Sequence, residues 1–69
     1  MEFKLEGEDH IELQALLKAT NLCTTGGEAK TAIVGGKVKV DGEVETRRGK
    51  KIRAGQTIVF GKEQIQVIL

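Results

Sequence analysis

The sequence predicts an α+β domain, two short helices followed by a small, mostly antiparallel sheet, and three observations carry that expectation. Leu13, Leu16, Leu17 and Thr20, and then Ala29, Ala32 and Ile33, fall on single faces of two helices. From Lys37 onward apolar residues alternate with polar ones, the two-residue period of a half-buried strand. Glycine-bearing turns separate the alternating stretches, and no repeat, linker or low-complexity segment interrupts them, so all 69 residues are assigned to one domain.

Taken in order, Phe3 and Leu5 alternate with charged residues as a short strand would, until Gly7, Glu8 and Asp9 break the pattern. The first helix is expected over about 12–19, with acidic residues near its positive end, Lys18 near its negative end and Asn21 as a left-handed stop. Thr25-Gly26-Gly27-Glu28 has the form of a capping box and opens a second helix that runs to Val34. Gly35-Gly36 ends it, and its narrow apolar face of small residues permits close packing. Asp41-Gly42 supplies the two positive-φ positions of a type I′ turn, so residues 37–45 form a hairpin. In that hairpin Val38 and Val40 point inward while Lys37 and Lys39 face water. Thr46 to Lys51 reads as an exposed basic loop, Ile52 re-enters the core, and Thr57–Phe60 and Gln64–Leu69 are strands joined by a tight turn at Gly61-Lys62.

Composition removes several function classes. No apolar run exceeds three residues, whereas a membrane helix needs about 20. The N-terminus lacks the basic start and apolar core of a secretory signal, and a single cysteine makes no internal disulfide, so a reducing cytoplasm is expected. One histidine and one cysteine are too few for a structural zinc site, and neither a metal nor a cofactor is expected. Cys23 has no sequence partner for nucleophilic chemistry and reads as a buried structural residue. His10, beside acidic residues, reads as a boundary residue, and no paired carboxylates suggest acid–base catalysis.

Charge is the informative property. The formal net charge is +1, but residues 1–12 set Glu2, Glu6, Glu8, Asp9 and Glu12 against Lys4. Residues 30–53 hold Lys30, Lys37, Lys39, Arg47, Arg48, Lys50, Lys51 and Arg53 against only Asp41, Glu43 and Glu45. If the second helix packs beside the hairpin, these cations merge into one surface suited to a phosphate backbone, because each neutralised phosphate releases counterions. The alternative is a set of charges that keeps an edge strand soluble. The Thr25-Gly26-Gly27 helix start offers backbone N–H groups to an anion, or serves simply as a cap. Scarce aromatics argue against a stacking platform for single strands.

The ordered set Thr-Gly-Gly-Glu-Ala-Lys (25–30), Gly-Lys-Val-Lys-Val-Asp-Gly (36–42), Arg-Arg-Gly-Lys-Lys (47–51) and Ala-Gly-Gln-Thr-Ile (54–58) resembles the RNA-binding domain of small-subunit ribosomal protein S-four, the alpha-L motif. It is most similar to the small stand-alone bacterial members of the YbcJ type, over about residues 11–60. Gly26 and Gly27 stand where the wider family commonly has Arg, and Asp41 where it has Asn. The resemblance implies a non-catalytic protein that binds structured RNA, such as ribosomal RNA or a tRNA-like fold, with ribosomal particles as a further partner, and the chain is expected to be a monomer. The eight cations of residues 30–53 would meet phosphates and Thr25, Gly26 and Gly27 would add backbone donors. The competing readings are a protein-interaction or assembly module that uses the acidic face, a sulfur carrier and an enzyme using Cys23. A sulfur carrier needs a C-terminal Gly-Gly, and this chain reads Val67-Ile68-Leu69.

Overall fold

The computed structural model describes residues 1–69. The elements are β1 (Glu2–Lys4), β2 (Ile11–Glu12), α1 (Leu13–Ala19), α2 (Gly26–Val34), β3 (Val38–Val40), β4 (Glu43–Val44), β5 (Lys51–Ile52), β6 (Thr57–Phe60) and β7 (Glu63–Ile68). Five strands form one sheet in the order β1-β7-β6-β3-β4, in which β1 and β7 run parallel and every other pair antiparallel. β2 and β5 make a separate two-stranded antiparallel ribbon.

Alternation sets the faces of the large sheet. Val38, Val40, Ile58, Ile65 and Val67 turn to the helices and are buried. Lys39, Val44, Val59 and Gln64 stand side by side across the opposite face, because residues paired directly across a sheet point the same way. The helices close the core with Leu13, Leu16 and Leu17 from α1 and Ala29, Ala32 and Ile33 from α2. Cys23, Leu5 and Ile52 complete it, and no buried residue is polar or charged.

Both helices stop in the same way. The N–H of Leu22 donates to the Leu17 carbonyl and that of Asn21 to Lys18, with Asn21 left-handed at φ 62°. At the end of α2, Lys37 donates to Ala32 and Gly36 to Ile33, with Gly36 at φ 77°. Each is a Schellman closure, which satisfies carbonyls the last turn would leave bare. The first strand, legible in sequence, has its partner at the other end of the chain. Gln66 donates to the Met1 carbonyl and Leu5 to that of Ile68.

Three features differ from the expectation. The ribbon β2–β5 replaces the free end of the basic loop, so Lys51 lies in a strand with Glu12 as its cross-strand partner. No acidic residue occupies the first turn of α1, and Glu12 precedes the helix without a side-chain cap. The capping box of α2 is half-formed. Thr25 Oγ1 accepts from the Glu28 N–H at 3.1 Å, but the Glu28 carboxylate accepts from the Thr24 hydroxyl instead of reaching back to the backbone of Thr25.

Ile33 is wholly buried at the helix–sheet junction. Ile33→Val is expected to cost ~0.5–1.5 kcal/mol, read as a lower urea midpoint with an unchanged m-value.

Candidate nucleic-acid interface

The β3–β4 hairpin turns at Asp41 (φ 51°) and Gly42 (φ 88°), the geometry that Asp-Gly predicts. Its tip is anchored. The Asp41 carboxylate accepts from the Thr57 N–H at 2.9 Å and from the Gln56 amide at 3.1 Å, while the Asp41 N–H donates to the Thr57 carbonyl at 2.8 Å. The Thr57 and Gln56 bonds hold the Asp41 carboxyl below the usual carboxylate range.

The basic segment after the hairpin is pinned at both ends. At its start the Glu45 N–H donates to Val38, and the Glu45 carboxylate accepts from the Arg47 N–H and Nε, both at 3.0 Å, and from Nη2 at 3.3 Å. The Glu45 side chain is 13% exposed and that of Arg47 73% exposed, so the carboxylate lies beneath and the guanidinium faces outward. These bonds lower the Glu45 carboxyl and raise Arg47. At its far end the carbonyls of Lys50 and Arg48 accept from the N–H groups of Leu13 (2.9 Å) and Gln14 (3.0 Å). A helix start leaves such donors without intrahelical partners, and here the basic segment supplies the acceptors. It is a strap across the start of α1, with Arg48 exposed and Lys50 half-exposed.

Two grooves flank the strap. One, of about 260 Å³, lies between hairpin and strap and is lined by Val44, Glu43, Arg47 and Lys50 among others. The other, of about 320 Å³, is lined by Glu12, Gln14, Ala15, Lys18 and Gly26, where α1 meets the start of α2. Lys18 and Gln14 were not among the sequence candidates. Their signal was present, since residues four apart share a helix face and both lie opposite the leucines. Arg47 and Lys50 share one groove, Gln14, Lys18 and Gly26 share the other, and the backbone bond from Gln14 to Arg48 links the elements that carry them.

The remaining candidates are not brought into these grooves, and Lys39 stands on the sheet face turned away from the helices. Lys39 is exposed beside Val44, its cross-strand partner, and Lys37 is exposed where α2 hands over to β3. Lys30 is exposed on α2. Arg53 is drawn to the acidic N-terminal segment by an ion pair with Asp9, whose carboxyl it lowers together with His10. A Cβ at Gly26 would meet nothing within 4 Å, and one at Gly27 only Thr25 Oγ1 at 3.9 Å, so neither glycine is demanded by packing. Cys23 is buried and its thiol is pushed up by desolvation and then by Glu28, which disfavours the nucleophilic thiolate.

A family model for the S4 domain matches residues 3–68. The chain belongs to the S4 domain family. YbcJ of Escherichia coli (strain K12) is 48% identical to this S4 domain over 66 residues, which cover 96% of this chain and 94% of that protein. YbcJ of Shigella flexneri matches to the same extent. The solution structure of YbcJ from E. coli, described as revealing an alpha-L motif involved in RNA binding, superposes with a TM-score of 0.77 at 47% identity. That match covers 99% of this S4 domain and 86% of the other chain. The alpha-L architecture expected from the sequence is the one observed.

Asp9, Asp41 and Glu45 all sit below their usual range, so each favours the folded S4 domain above its unfolded value, near ~4, and ceases to do so as pH falls through the lowered folded one. Stability is therefore expected to be level at neutral pH and to fall below about pH 4. Asp41→Asn, which retains an acceptor and tolerates the left-handed turn, is expected to give a shallower acid limb in urea titrations at stepped pH.

Proposed function

We propose that this S4 domain binds structured RNA without catalysis, as a cytoplasmic monomer, with ribosomal RNA or a tRNA-like fold as ligand and ribosomal particles as the setting. The observation that carries this reading is the strap. Its backbone is bonded to α1 and the hairpin, which supports the reading by limiting how far its cations can move apart. Lys18, Arg48, Lys50 and Lys51, with Lys37 and Lys39 from the hairpin and Lys30 from α2, make no ion pair with a carboxylate. Free cations on a fixed backbone match a regular array of phosphates. Thr25, Gly26 and Gly27 add backbone donors beside Lys18, and the open space at both glycines lets a phosphate come close.

A-form RNA closes its deep groove to side chains, so shape and backbone dominate recognition. Arg47 and Arg53 differ from the rest, because each already holds a carboxylate. The RNA binding attributed to the E. coli YbcJ structure supports the same reading.

The test is affinity for a structured RNA measured against salt. The logarithm of the binding constant is expected to fall linearly with that of salt concentration. Replacing Lys50 and Lys51 together by Gln is expected to flatten the slope by up to about 2. An unchanged slope removes the strap from the interface. Binding to a protein that persists at high salt, with no RNA affinity, replaces the proposal with an assembly module.

A further inference from the structure

Arg47 differs from every other cation of the strap in how it is held. Glu45 takes its N–H, its Nε and its Nη2, which fixes the guanidinium plane on the hairpin and occupies one of its donor edges. The flat face stays open together with the outer Nη1 edge, on a side chain that is 73% exposed at the lip of the groove between hairpin and strap. That groove is a poor phosphate site. Asp41 and Glu43 line it, and their negative charge repels a phosphate. It suits an uncharged planar group, with Val44, itself 53% exposed, as apolar contact. Lys50 stands on the same groove, where its charge offsets that of Asp41 and Glu45. The protein has no free aromatic platform, because Phe3 and Phe60 pack against the core.

We propose that this groove receives one unpaired base of the bound RNA, stacked on the Arg47 guanidinium. The inference rests on the RNA-binding reading and adds a distinct ligand, a base displaced from a stem by a bulge or loop. Unpaired bases are the part of RNA that guanidinium planes and side-chain edges can reach. Glu45 is then a positioning residue. It borders the same groove and acts by keeping the arginine plane parallel to the incoming base.

The experiment compares two RNA hairpins of equal stem length, one fully paired and one with a single bulged adenosine, by fluorescence anisotropy at fixed salt. The wild-type chain is expected to prefer the bulged stem by roughly tenfold, the scale of one base stacked on a planar group. Arg47→Lys keeps the charge and loses the plane, so the preference is expected to fall below about threefold with the same salt slope. Glu45→Gln, which frees the guanidinium, is expected to lower the preference in the same direction. Equal wild-type affinity for the two stems, or a preference that survives Arg47→Lys, overturns the stacking site alone. Failure to bind either stem overturns the RNA-binding reading beneath it.

Discussion

Two backbone hydrogen bonds, Leu13 N–H to Lys50 and Gln14 N–H to Arg48, join the parts of this protein that would otherwise be independent. They solve a problem that α1 poses for itself. The helix spans only seven residues, has no side-chain cap, and exposes its first N–H groups where the chain has just left β2. A helix so short is unstable alone. The strap provides the missing acceptors, and in doing so gives up the freedom a glycine-containing basic segment would otherwise have. Helix stability and cation placement are thus one constraint. A change that loosens one loosens the other, even where it touches no charged side chain.

Charge is used for orientation more than for stability. The two Asp/Glu–Arg ion pairs, Arg47 with Glu45 and Arg53 with Asp9, lie at the surface, where such pairs contribute little to folding. Their effect is to sort the arginines. One is held flat beside a groove and the other is diverted toward the acidic N-terminal segment, while the lysines stay free on flexible stems. The near-neutral total in the sequence therefore conceals a molecule whose cations have different degrees of freedom. Lysine acts as a mobile point charge and fixed arginine as a planar surface, and the two are not interchangeable.

Much of this was legible in the residue string, and the reasons are local. Asp41-Gly42 specifies its turn by backbone conformation alone, Asn21 and Gly36 mark helix ends by their tolerance of positive φ, and alternation placed Val38 and Val40 inside with Lys39 outside. What was not legible depends on partners far apart in the chain. The two-residue strands β2 and β5 are too short to show a period, and they exist because each finds the other. The parallel pairing of β1 with β7 spans the whole chain and leaves no trace in either segment. The Glu45–Arg47 clasp and the place of Lys18 beside Gly26 are side-chain facts, set only once the hairpin, strap and helices have packed.

The pairing of β1 with β7 bears on how the molecule comes into being. β7 follows every other strand in the chain order, yet it lies inside the sheet, between β1 and β6, and carries Ile65 and Val67 into the core. Without it the first strand is orphaned and the helix layer keeps only Val38, Val40 and Ile58 of the sheet against it. Closure of the sheet must await β7, because contacts between distant parts of a polymer are the slowest to form. Completion of the sheet therefore couples the two ends of residues 2–68 in one step, and a chain in which β7 is displaced exposes apolar surface from both the helices and β1.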